Sequence, residues 1–168
     1  MRYVLFTDNL ADLSVAGACD AAKAAGFDGL DLTLRPGGHV RPEDAEAGLA
    51  EARRTADRAG VDIPLVSTAI TDVDSPHAEA IFAAAAHYGA RRLKLGYWEY
   101  RPFGTLADQV EQARQKLRRV VALGRKYHVC RASTATPGGS SPRAARCCTW
   151  SCGASSRARS APTSTRCT

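Results

Sequence analysis

No apolar stretch in the 168-residue sequence approaches the ~20 residues of a membrane span. The start, Met1-Arg2-Tyr3-Val4-Leu5-Phe6-Thr7-Asp8, meets a charge before any apolar run is long enough for a secretory leader. Both absences point to a soluble cytoplasmic protein. Through residue 129 the only cysteine is Cys19, too few for a disulfide framework. The other five, Cys130, Cys147, Cys148, Cys152 and Cys167, lack paired zinc spacing and have no histidine near them in the tail. Gly37-Gly38 lacks the spacing of a phosphate-binding fingerprint, and no Walker or dinucleotide motif occurs. From Cys130 onward there is no Leu, Ile, Val, Phe, Met or Tyr and no acidic residue.

The net charge of +6 raises the question of a nucleic-acid partner, and its placement answers it. Residues 1–129 are neutral, with 17 Asp and Glu matched by as many Lys and Arg. All the excess sits in the tail, on Arg131, Arg143, Arg146, Arg157, Arg159 and Arg166. A non-catalytic protein with a nucleic-acid-binding basic tail is therefore one alternative. The tail has no Lys and no aromatic residue besides Trp150, a poor match to single-strand binders.

What is present repeats. Four times a short apolar run is followed by a polar loop and a longer segment with apolar residues at helical spacing, which is βα repetition. The expected strands are 3–6, 28–32, 63–67 and 92–95. Gly26, Gly60 and Gly89 read as helix-ending residues, at regular intervals. Ser14 precedes an alanine-rich helix carrying Val15, Cys19 and Ala22. The segment 44–59 is amphipathic through Ala45, Leu49, Ala52 and Ala56. Ser75-Pro76 predicts a capped start for a helix with Ala78, Ile81, Phe82, Ala85 and Tyr88 on one face. Asp72 and Asp74 are expected to favour that helix start. After Thr105, a stripe of Leu106, Val110, Ala113, Leu117, Val120 and Val121 predicts a fourth helix.

At residue 130 the pattern stops. The plain reading of 130–168 is a low-complexity, unstructured tail, too poor in apolar residues to offset the entropy of ordering it. The sharper reading is a GC-rich gene read out of frame. If the true codons begin at the third base of those used here, Cys becomes Leu, Met or Val, and Thr becomes Tyr, His, Asn or Asp. The run 131–136 then permits small-Cys-Val-His-Ser-His, and 163–168 permits Tyr-Val-Asp-Pro-Met-His. Both strings are rich in the imidazole and carboxylate donors of a divalent-metal site.

Ala25-Gly26-Phe27-Asp28-Gly29-Leu30-Asp31-Leu32, Val61-Asp62-Ile63-Pro64-Leu65-Val66 and Gly89-Ala90-Arg91-Arg92-Leu93-Lys94-Leu95-Gly96 resemble, in order and spacing, the sugar phosphate isomerase/epimerase or xylose-isomerase-like barrel family. The resemblance covers 1–129 and implies an α/β fold, the first four βα units of a (β/α)8 TIM barrel, whose full form needs about 250 residues. It also implies a divalent metal (manganese, magnesium or zinc) in the intact parent, and proton transfer at a carbon of a small sugar or polyol substrate. The family's metal ligands come mainly from strands five to eight, so no ligand or catalytic residue carries over. This chain as written is expected to bind no metal and to lack isomerase activity.

In a barrel, alternate strand residues point inward and the site lies at the strands' carboxyl ends. That turns Asp31 and Lys94 inward, as an ion pair or as pocket residues, with Leu30, Leu32, Leu93 and Leu95 facing helices. The loop Gly96-Tyr97-Trp98-Glu99-Tyr100-Arg101 is the densest aromatic cluster, suited to a sugar ring. His39 sits in the glycine loop Arg35-Pro36-Gly37-Gly38-His39. The substrate-binding candidates are thus Asp31, His39, Lys94, Tyr97, Trp98 and Glu99. Two further alternatives are an endonuclease IV-like phosphodiester-cleaving barrel, disfavoured by the neutral charge, and a doubly wound sheet, which expects a phosphate loop after the first strand. Thr7-Asp8-Asn9-Leu10 offers none.

Overall fold

Each βα unit forms for local reasons that can be traced residue by residue. A computed structural model describes residues 2–99 and 103–132, all within one compact unit, Met1–Thr136. Its strands are β1 (Val4–Phe6), β2 (Gly29–Leu34), β3 (Asp62–Thr68), β4 (Arg92–Lys94) and β5 (Cys130–Ala132). The helices between them are α1 (Val15–Ala24), α2 (Ala45–Ala59), α3 (Ala78–His87) and α4 (Leu106–Lys126). The Ser14 hydroxyl accepts the Gly17 N–H at 3.2 Å, satisfying one of the unpaired amides at the start of α1. At the other end of such helices Gly26, Gly60 and Gly89 take φ of 75°, 70° and 77°, a left-handed conformation that costs glycine nothing. Tyr127 and His128 end α4, and Val129 N–H returns to the Gly124 carbonyl at 2.9 Å, turning the chain into β5.

The strands form one parallel sheet in the order β1-β2-β3-β4-β5, and successive helices are neighbours: α1 with α2, α2 with α3, α3 with α4. A doubly wound sheet reverses its strand order at a switch point. This order never reverses, which sets that alternative aside for the described residues. The fold is a mixed α/β structure with parallel strands. Its fifth strand lies just past the expected boundary at 129.

Alternation along the strands divides the sheet into two chemistries. Leu30, Leu32, Leu34, Ile63, Val66, Leu93 and Leu95 are buried in one apolar core with Ala18, Cys19, Leu49, Ala52, Ile81, Phe82, Ala85 and Val120 of the helices. Each large aliphatic side chain there contributes roughly 1.5–3 kcal/mol by leaving water. The alternate positions, Asp31, Thr33, Ser67 and Lys94, carry polar groups on the opposite face. Gly29 begins β2 without a side chain because a Cβ would stand 2.8 Å from the Asp62 carbonyl oxygen.

Two helix expectations need correction. Ser75 does not cap α3. Its hydroxyl accepts the N–H groups of Thr71 and Asp72 at 3.2 and 3.1 Å, closing the preceding turn, and α3 starts at Ala78 after His77. Asp72 and Asp74 instead hold Arg119 of α4, at 3.1 and 2.9 Å. The α4 stripe is buried only in its second half: Val120 is 1% exposed, while Leu106 is 57% and Phe103, just before the helix, 96% exposed. Among the described residues no helix is long and apolar enough to cross a membrane.

Candidate functional site at the carboxyl end of the sheet

Register brings three polar side chains into one row, because Thr33 of β2 pairs with Ser67 of β3, and Ser67 with Lys94 of β4. Asp31, two residues earlier on β2, shares their face and is 7% exposed. Its Oδ1 accepts the Ser67 hydroxyl at 2.7 Å. Burial raises the Asp31 carboxyl above its ordinary value and the nearby Asp8 adds to the rise, while the Ser67 hydrogen bond and the charge of Lys94 pull it back. The result is a buried acid whose proton is held more tightly than usual, beside a hydroxyl and within the field of an ammonium.

Of the two readings of Asp31 and Lys94, the close ion pair does not form: no salt bridge joins them within 4.0 Å. Its Nζ lies 4.4 Å from the centroid of the Phe6 ring and 5.8 Å from that of Tyr97. The contact with Phe6 crosses two intervening strands. In a flat sheet β1 and β4 would be roughly 14 Å apart. The two long side chains span that separation over the polar face, and the cation gains the attraction of two ring faces.

The glycine loop returns to the sheet instead of standing in solvent. Gly37 takes φ 76°, Val40 N–H bonds to the Thr33 carbonyl at 3.1 Å, and a Cβ on Gly38 would stand 3.0 Å from that same carbonyl. This folds His39 onto Thr33: the His39 N–H donates to Thr33 Oγ1 at 3.2 Å, and His39 Nδ1 lies 3.0 Å from it. Thr7, just past β1, completes the chain, with its Oγ1 3.3 Å from Thr33 Oγ1 and accepting the Thr33 N–H at 3.1 Å. Arg35, at the start of the loop, is ion-paired with Asp8.

Of the six expected site residues, Asp31, Lys94 and Tyr97 share contacts or fields on the polar face, and His39 joins them through Thr33. Trp98 diverges: it is half-buried against the apolar core, and its indole Nε1 has no hydrogen-bond partner among the described residues. Glu99 is exposed. Tyr100 and Arg101 lie outside the described residues, as does 133–168. Residue types alone missed Thr7, Thr33, Ser67 and Phe6. A signal for two of them was present: Thr33 and Ser67 alternate with Leu32, Leu34, Val66 on their strands, as Asp31 does.

Among the described residues no group of three or more His, Cys, Asp or Glu comes together as a metal site. The donors nearest the row are already engaged, Asp31 by Ser67 and His39 Nδ1 by Thr33. These residues do not by themselves fit a metal, and no chemical step is assigned to one.

A cleft of about 520 Å³ opens at the opposite, amino-terminal end of the sheet, lined by Arg2, Arg53, Asp62, His87, Tyr88 and Arg91. Its centre is an ion-pair network, Asp62 accepting Arg2 at 2.9 Å and Arg53 at 3.0 Å. Burial pushes the Asp62 carboxyl up, but the hydrogen bonds from Arg2, Arg53 and the Ile63 N–H outweigh it and leave the group below its ordinary value. That arrangement ties β3 to α2 and the chain start, and it presents no acid poised for proton transfer. The polar row is the better candidate on chemistry.

The chain matches no known protein-family model and no curated protein.

Proposed function

We propose that residues 1–129 are the first half of a (β/α)8 barrel of the sugar phosphate isomerase/epimerase type, and that the carboxyl end of its sheet binds a small sugar or polyol. The observation that carries the reading is the polar row at that end. An α/β sheet of non-reversing order bears Asp31, Thr33, Ser67 and Lys94 on the face opposite its helices and toward the carboxyl ends of its strands, the end at which a barrel binds its substrate. The contact of Lys94 with Phe6 across two strands supports a concave wall.

Each residue has a role in this reading. Lys94 holds a substrate hydroxyl or phosphate oxygen with its ammonium, and Tyr97, 52% exposed, offers a ring face to the sugar. Asp31, with its proton affinity raised by burial, exchanges a proton with the substrate, and Ser67 keeps its carboxylate oriented. In the intact parent a divalent metal would polarise the substrate carbonyl, held by ligands outside the described residues. The tail is read as out of frame, so this chain lacks turnover while retaining part of the binding wall.

A ¹H–¹⁵N correlation titration of this chain with aldoses, ketoses and polyols tests the reading. Resonances of Asp31, Thr33, Ser67 and Lys94 are expected to move with at least one sugar, and Lys94→Met to abolish the movement. Absence of any shift across the series, or shifts confined to the Arg2 and Arg91 end, would overturn it.

A further inference from the structure

His39 presents an accounting problem with one economical solution. Three hydroxyl and ring groups, Thr7 Oγ1, Thr33 Oγ1 and His39 Nδ1, stand in a line at 3.3 and 3.0 Å. Two of their acceptor positions are already used by backbone amides: Thr7 Oγ1 takes the Thr33 N–H and Thr33 Oγ1 takes the His39 N–H. With a neutral ring the remaining protons can be arranged in three ways.

In the first, the Thr7 hydroxyl donates to Thr33, the Thr33 hydroxyl donates to His39 Nδ1, and the ring proton sits on Nε2. In the second, His39 Nδ1–H donates to Thr33 and Thr33 donates to Thr7. The second order leaves the Thr7 hydroxyl proton without an acceptor among the described residues, and the third, in which Thr7 and Nδ1–H both donate to Thr33, does the same to the Thr33 proton; both threonines are fully buried at 0% exposure. An enclosed donor without an acceptor costs about 1–3 kcal/mol. The first order satisfies every hydroxyl and leaves only the Nε2–H unpartnered, whereas the others leave both a hydroxyl proton and the Nε2 lone pair so.

We infer that Thr7 and Thr33 fix His39 as its Nε2–H tautomer, so that the residue can serve a bound sugar only as a hydrogen-bond donor. Nε2 is the one enclosed atom of the array with no partner among the described residues, so its proton is the group left for a ligand oxygen. The same arrangement withholds the Nε2 lone pair, which a metal ion or a general base would need. Thr7 and Thr33 are positioning residues that act through the imidazole. The ligand half of the inference rests on the proposed sugar site, whereas the tautomer does not.

Long-range ¹H–¹⁵N spectra of the ligand-free, ¹⁵N-labelled full chain, recorded roughly 2 pH units above the ordinary histidine value, decide the matter. The His39 signals are identified by their loss in His39→Gln. The wild-type ring is expected to show an unprotonated Nδ1 and a protonated Nε2, and Thr33→Ser to keep that pattern. Thr33→Val removes the donor and is expected to move both nitrogens toward values averaged between the two tautomers. A protonated Nδ1 in the wild type, or an unchanged pattern in folded Thr33→Val, would overturn the inference. If Thr33→Val does not fold, the wild-type and Thr33→Ser spectra still decide it. A lock without sugar shifts would instead count against the proposed site.

Discussion

Asp31 and Asp62 occupy opposite ends of the same sheet and answer to pH in opposite senses. Asp31 binds its proton more tightly folded than unfolded, so its contribution to stability is fully present below the ordinary carboxyl value and is lost as pH rises through the folded one. Asp62 binds its proton more weakly folded, so its contribution is present above the ordinary value and lost as pH falls. Asp31→Asn keeps an oxygen to accept the Ser67 hydroxyl and removes the titration. In urea unfolding from about pH 4 to about pH 7, the variant is expected to gain on the wild type as pH rises. A stability difference that stays constant or changes in the other direction would show that Asp31 is not held protonated by its surroundings.

At the scale of elements, the sequence was legible where side chains alternate with a strong apolar partner. The first four strands, the buried face of α2 (Ala45, Leu49, Ala52, Ala56) and the three helix-ending glycines follow directly from period and φ requirements. β5 was not legible, because Cys130-Arg131-Ala132 has no branched or aromatic run, and its backbone pairing with Arg92-Leu93-Lys94 is what defines it. Ser75 was misread since Ser-Pro suits a tight turn as well as a helix start, and only the tertiary path decides between them. Periodicity also overstated α4, whose stripe continues beyond the surface it packs on. Val120→Ala is therefore expected to cost about 2 kcal/mol, and Leu106→Ala to stay within about 0.5 kcal/mol. Equal losses in thermal or urea unfolding would mean that the first turns of α4 are buried in solution.

In the whole molecule a neutral α/β unit is followed by a cationic tail whose composition fits a shifted reading frame. In the site, alternation exposed Asp31 and Lys94, but their company did not follow from spacing: Phe6 meets Lys94 from two strands away, and Thr7 and His39 meet on Thr33, the latter because the glycine loop folds back. The isomerase reading requires the parent barrel to supply what these residues lack. The direct measurement is to sequence the DNA encoding 127–132, restore the frame there, and assay the longer product for interconversion of aldoses and ketoses with added manganese, magnesium or zinc. Metal-dependent turnover is expected, falling about 10²–10⁴-fold in Asp31→Asn. An early stop in the restored frame, no turnover with any sugar, or turnover that Asp31→Asn leaves intact would contradict it.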